Sequence, residues 1–414
     1  MPMSIPAASA EPSILTPQSA VHADAPIGIR LRTTLPASHA LQWLATHQLG
    51  YLIQHQTGTD AQGPWQQFWL PGLPGAGTRT QPQAVAGAWQ QANAVAPLTS
   101  DTGAQNLDTT ALAHTLGLSP DTSDADLDTE ILAAMLLSPL GFEFPSLAEW
   151  QSAVRLRRFI VQAGRRTVLA FDTEEAERPD CWRWTEATGF VLLPGHELIP
   201  ALQEALWPDV SGRLYSFSCY RATEHVVLLG LAQELQISNP AALAVLQAQW
   251  QRKAIQSETF QNAFLYEYGS LQTPLPSHYY VPGDRLWFRN PDAVSAGIEG
   301  YEGSWVFYLG QGRFTNFWKP GQAYTLVSKC VELYHWRHGV RTDGPSGQPW
   351  MDESIIEARV AETLADAQAT QAVLQRMMRL RDPAGVYAEG GCIDASREAV
   401  RCVHPQTFGL RIAA

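Results

Sequence analysis

From residue 146 onward, hydrophobic and polar positions follow readable periods. Ser146 and Glu149 form the S/T-x-x-E helix-start pattern, and Leu147, Trp150, Val154 and Phe159 recur near helical spacing, predicting a helix to about Gln162. Apolar runs at 167–171 and 181–193 read as strands, a helix begins near Glu197, a longer one follows Cys219 through Glu234, and another covers 241–255. The character then changes to short aromatic strands at 285–289, 305–309, 313–318 and 331–336, with Gly310-Gln311-Gly312 as a hairpin turn. After a loop at 342–349, a helix runs from about Glu353 to Arg381, stopped by Pro383 and Gly385; its stripe of Ile356, Val360, Leu364, Leu374 and Met378 predicts a face packed over the sheet. Helices first and an antiparallel-looking sheet second is the α+β order.

Ahead of residue 146 the periods weaken. Residues 1–100 hold only three acids (Glu11, Asp24, Asp60) and three arginines (Arg30, Arg32, Arg79) among Ala, Gln, Pro, Gly and Thr. Residues 1–26 read as a flexible tail, with a strand at 27–33 and a short helix at 38–47 beyond it. Gly72, Pro74, Gly75 and Gly77 force turns, and the polar stretch 100–129 precedes the apolar run 131–137. The expected organisation is a tail (1–26), an N-terminal accessory region (27–139), a core (140–346) and a C-terminal helical extension (347–414).

With 414 residues, 45% hydrophobic and 16% charged, the chain can bury a substantial core. The formal charge of -12 argues against a nucleic-acid or anionic-membrane partner, either of which needs a concentrated basic face. Arg155, Arg157, Arg158, Arg165 and Arg166 read as solvated helix and turn residues. No stretch reaches the roughly 18 apolar residues of a membrane span, and no basic n-region precedes an apolar one at the N-terminus, so the expected location is cytoplasmic, or outside by a route that needs no signal peptide. Only Lys253, Lys319 and Lys329 are lysines. No cofactor or metal motif is present in a credible context: five scattered cysteines (Cys181, Cys219, Cys330, Cys392, Cys402) make no CxxC pair, although Cys392 and Cys402 are spaced to close a short loop.

One cysteine invites chemistry. Cys219, in Ser216-Phe217-Ser218-Cys219-Tyr220, stands at the predicted start of a helix, where peptide N–H groups and the helix dipole favour a thiolate. A cysteine ahead of a helix, with a sheet later in the chain, is the layout of papain-like nucleophiles.

Residues 147–346 resemble the spore-coat type protein-glutamine gamma-glutamyltransferases (transglutaminases) of spore-forming bacteria. The resemblance lies in the amphipathic helix 146–163, the aromatic approach 214–219, the run Gly283-Asp284-Arg285-Leu286-Trp287-Phe288-Arg289-Asn290-Pro291 against a GD-x-x-Y-F-x-NP motif, and Gly303, Val306, Leu309 and Gly310 against W-R-G-E-N-V-I-x-L-G; Tyr334, Arg341, Asp343 and Pro345 fit the last strand and turn. It implies a papain-like/transglutaminase-like core in which Cys219 attacks a glutamine amide of a protein substrate, releases ammonia and passes the acyl group to an amine or water, without a cofactor. It also places the family's glutamate at Ser304, its histidine at Phe317 and the acid preceding its cysteine at Ser218. Two readings follow. In one, a relocated base completes a trio of Cys219, His335 and Asn316, with His278 and His225 as weaker candidates. In the other, the fold is kept without the chemistry as a protein- or ligand-binding module, with Glu224 and His225 facing a rebuilt cleft. An effector delivered to other cells is a further, weaker alternative; the oligomeric state is left open.

Overall fold

The computed structural model of the chain describes residues 28–50, 52–71, 107–171, 176–342, 347–382, 391–406, 408–410 and 412. The predicted tail, the Gly72 to Gly77 turns, the matched positions Asp343 and Pro345, and the helix stop at Pro383 and Gly385 lie outside the described residues. Along the chain come β1 (Ile29–Arg32), α1 (Ala37–Thr46), β2 (Gln54–Asp60), β3 (Gly63–Trp69), α2 (Leu112–Leu116), α3 (Asp124–Leu136), β4 (Phe142–Phe144) and α4 (Leu147–Arg166). Next are β5 (Ala170–Phe171), β6 (Trp182–Thr185), β7 (Gly189–Leu192), α5 (Leu198–Leu206), α6 (Pro208–Ser211), β8 (Ser216–Phe217), α7 (Cys219–Ser238), α8 (Pro240–Arg252), α9 (Glu258–Phe264), β9 (Leu265–Tyr268) and β10 (Arg285–Arg289). The last stretch holds β11 (Gly303–Gly310), β12 (Arg313–Phe314), β13 (Tyr324–Thr325), α10 (Leu326–Gly339), β14 (Val340–Thr342), β15 (Pro349–Met351), α11 (Glu353–Ala365), α12 (Ala367–Met377) and β16 (Arg397–Val400).

A six-stranded sheet, in the order β13-β12-β11-β10-β16-β9 with every pair antiparallel, forms the middle layer. Because side chains alternate along β11, Phe307 and Leu309 enter a core shared with α4 and α7, while Val306 and Tyr308 enter a second core closed by α10, α11 and α12. Helix thus lies on both faces of a mixed helix and sheet fold. A smaller sheet, β2-β3-β1-β4, joins the N-terminal strands to the first core through β4, which runs parallel to β1.

Local signals explain most starts. Ser146 accepts the Glu149 N–H (3.1 Å) at the head of α4, as an N-cap should. The two oxygens of Glu149 accept the N–H groups of Val403 (3.0 Å) and His404 (2.9 Å), pinning the C-terminal segment. The helices α4 and α7 approach closely because residue 230 is glycine: a Cβ there would stand 2.7 Å from Ile160 Cγ1 and 3.0 Å from its backbone nitrogen.

Of the α4 arginines expected to be solvated, Arg166 is exposed and Arg155, Arg158 and Arg165 are half-buried, but Arg157 is buried. Arg157 is 5% exposed and pairs with Asp284 (2.7 Å), which also accepts the Tyr268 hydroxyl (2.5 Å) and the Val281 N–H (2.8 Å). Gly283 has φ +89°, and a Cβ there would strike Arg157 at 2.9 Å, so the GD pair is a strand-entry device built around one buried ion pair.

Four elements differ from the sequence expectation. Residues 331–336 are helix, within α10, and not a strand; Thr325 and Ser328 cap its start reciprocally. The strand expected at 313–318 stops at Phe314. The expected long C-terminal helix is broken at Asp366, whose side chain accepts the Gln368 (2.8 Å) and Ala369 (3.2 Å) N–H groups and caps α12; Ile356, Val360, Leu374 and Met378 pack as predicted, but Leu364 is exposed. The extension beyond residue 347, expected to be helical, contributes β16 between β10 and β9 inside the sheet. Cys392 meets Cys330 (Sγ to Sγ 3.5 Å) and not Cys402, and all three remain thiols.

Candidate active site

Ser218 accepts the Arg221 N–H (3.3 Å) and so caps α7, which places Cys219 at the first position of a 20-residue helix. The peptide N–H groups of Trp305 and Tyr220 favour the thiolate form of its sulfur. The Trp305 contact follows from how the sheet frays. Thr315 bonds the Phe307 peptide on both sides, through its N–H (3.0 Å) and its hydroxyl (3.0 Å). Two residues back along β11, the Trp305 peptide points the same way but lies past the end of β12, so its N–H is left to meet the thiol.

Burial pushes the Cys219 thiol up. The Trp305 and Tyr220 N–H groups and the Lys329 and Arg285 cations work against it without overturning it. Arg285 is 1% exposed; its Nε donates to Thr223 Oγ1 (2.8 Å), one helical turn from Cys219, and its Nη1 pairs with Glu398. Its guanidinium carbon lies 3.9 Å from the Trp305 ring centre and 4.8 Å from that of Tyr220. Lys329 is also buried, bonded to Glu332 (3.2 Å) and set over the Tyr324 ring (4.1 Å).

The other predicted site residues have partners elsewhere. On α10, His335 and His338 are three apart and therefore neighbours on one face, not on opposite faces as a strand would set them. Their Nδ1 atoms are 2.9 Å apart, and His335 Nε2 bonds Thr363 Oγ1 (2.7 Å), so both ring nitrogens of His335 are committed away from Cys219. Burial, with His338 second, brings the His335 pKa down to about 4. Asn316 is a turn residue whose amide donates to Gln322 O (3.0 Å) and accepts the Trp318 N–H (3.3 Å). His278 bonds Ser277 (3.0 Å). His225 sets Nδ1 against Arg221 O (2.9 Å) and receives Arg178 Nε at 3.4 Å. Glu224 accepts the Ser257 N–H (2.6 Å) and Arg221 (2.7 Å). Both line a void of about 10 Å³, room for about one water.

The sequence model of the family protein-glutamine gamma-glutamyltransferase matches residues 108–407. The chain belongs to this family. A solved structure, the transglutaminase from Geobacillus stearothermophilus without its C-terminal extension, is similar at 20% identity with a TM-score of 0.36, covering 52% of this chain and 98% of that one. Among curated proteins none matches this chain.

As a transglutaminase family member, the chain departs from the resemblance where acid-base groups are expected. Ser304 lies on the strand face of Val306 and Tyr308, toward the second core. Phe317 is 2% exposed in the first core, with its carbonyl accepting the Leu169 N–H (2.8 Å). Sequence reading missed Arg285, Thr223 and Lys329. A signal for the first was present: Arg285, Trp287 and Arg289 alternate along β10, marking a cationic and aromatic face where a buried strand would be aliphatic.

Proposed function

We propose that this transglutaminase family member acts on glutamine side chains of proteins through Cys219, in a papain-like arrangement of a nucleophile helix against a sheet. The thiol sulfur bonds to the amide carbon, the carbon–nitrogen bond breaks, and the thiol proton leaves with ammonia. The thioester then passes its acyl group to an amine, or to water, and the thiol is restored. The observation that carries this reading is the seat of Cys219: the first position of a 20-residue helix capped by Ser218, where peptide N–H groups favour the thiolate. With Phe317 and Ser304 at the acid-base positions, turnover is slow, since such help is worth about a hundredfold to ten-thousandfold.

A second reading, a binding module without turnover, is favoured by the partners of His335, which leave Cys219 no imidazole from α10. Incorporation of an amine probe into a glutamine-rich protein mixture, with ammonia release followed in parallel, separates the two. The expected result is slow turnover abolished in Cys219→Ala and unchanged in His335→Ala. Loss in His335→Ala would restore the trio with Asn316; flat traces for all three folded proteins would leave the binding module.

A further inference from the structure

We infer that Arg285 is a positioning residue for Cys219: its guanidinium, clamped between strand and helix beside the thiol, is the cation that holds the thiolate where the family pattern would supply a histidine. This rests on the reading of Cys219 as nucleophile.

Three contacts define the clamp. Thr223, four residues after Cys219 and so on the same helix face, takes the Arg285 Nε proton at 2.8 Å. Tyr220, the next residue after Cys219, and Trp305 meet edge to face at 5.5 Å, and the guanidinium lies against both rings, 4.8 and 3.9 Å from their centres. The cation is thereby confined against the residues that flank the thiol. Nη2 is buried and has no acceptor of good hydrogen-bond geometry among the described residues; the Tyr220 hydroxyl is a polar neighbour on which the Arg285 charge and hydrogen bonding act. A thiolate at Cys219 adds a charged acceptor beside that loosely satisfied guanidinium.

Two cations act on the thiol, Lys329 from α10 and Arg285 from β10, and of the two Arg285 is the one bonded to the helix that carries Cys219. From the sheet, Glu398 of β16 pairs with Arg285 and also accepts the Gln261 amide (3.0 Å); burial pushes that carboxyl up and Arg285 works against the rise. On α7 itself, Glu224 and Arg221 pair with each other (2.7 Å). From α10, Lys329 faces the site with its ammonium bonded to Glu332. The only bond affected is S–H, whose proton passes to solvent.

The test uses the full chain and the pH dependence of iodoacetamide alkylation, read at the Cys219 peptide by mass spectrometry so that the other cysteines do not contribute. Arg285→Gln is expected to move the midpoint of the rate profile up by a pH unit or more, about tenfold slower below the midpoint. Arg285→Lys should recover part of the shift. Glu398→Gln, which keeps an acceptor for Gln261 and frees the arginine from its carboxylate, should move the midpoint down. A merely structural role would loosen the site and raise reactivity in both variants without opposite shifts. An unchanged or lowered midpoint in Arg285→Gln, or an unchanged or raised one in Glu398→Gln, overturns the inference. Should Arg285→Gln fail to fold, the Glu398→Gln profile decides alone. Alkylation needs no acyl transfer, so a protein inactive toward glutamine can still pass or fail this test.

Discussion

Glu130 shows what one residue does inside this core. Its side chain, on α3, is wholly buried; one oxygen accepts the Gln311 N–H (2.8 Å), and the other has no hydrogen-bond partner among the described residues. It holds the tip of the β11–β12 hairpin, where Gly310, Gln311 and Gly312 all take positive φ. Burial raises its pKa to about 7 from 4.5. A raised acid binds its proton more tightly folded than unfolded, so its contribution is full below pH 4.5 and is lost as pH rises through about 7. The shift corresponds to about 3 kcal/mol. Glu130→Gln keeps the acceptor and removes the charge, so urea midpoints compared at pH 5 and pH 8 should show a smaller fall than in the wild type. A residual slope should persist, since Asp128 is raised to about 6 and acts in the same direction.

Between elements, the crossing of α4 and α7 is set by Gly230. Alanine favours a helix over glycine by about 1 kcal/mol. Here, however, the added carbon meets the Ile160 backbone nitrogen at 3.0 Å, and backbone cannot swing aside. Overpacking typically costs about 1–3 kcal/mol, so Gly230→Ala is expected to lower stability by about 1–2 kcal/mol net, read as a lower urea midpoint. A higher midpoint would mean that the two helices can part freely. Element identity was legible where a face was clean. The helix after Cys219, the strand at 285–289 and the turn at Gly310 stand where the sequence predicts them, and the strand predicted at 305–309 runs from Gly303 to Gly310. The aromatic run around Leu333, Tyr334 and Trp336 misled because aromatic residues are common in strands; buried against α11 and α12, the same residues make a helix.

On the scale of the whole molecule, the chain closes on itself. The last strand, β16, is inserted between β10 and β9, and Glu149 of the first core helix grips the Val403 and His404 peptides. Deleting residues 391–414 should therefore cost the cooperative fold, with a lost or greatly broadened melting transition in circular dichroism and rapid proteolysis through the 219–310 region. A deletion that melts as sharply as the full chain would make the C-terminal segment an appendage. The same closure explains why the fate of the site was hidden in the sequence: the cation beside Cys219 comes from β10, and its carboxylate partner from β16, 113 positions further along the chain.

The sequence by itself determined the starts of α4 and α7, the alternation along β10 and β11 and the helix-start position of Cys219, because caps, periodicity and glycine turns act over a few residues and leave local marks. It also carried the motifs that point to the family, which the match over residues 108–407 establishes. Tertiary structure alone decided which charges stand beside the thiol and which histidines have other partners. It also turned Arg157, expected to be solvated, and Glu149, expected to serve the helix start, into buried ties between distant segments. Those outcomes depend on which distant segments meet: a buried charge takes its partner and its protonation from whatever packs against it, and one chain position carries no record of that neighbour.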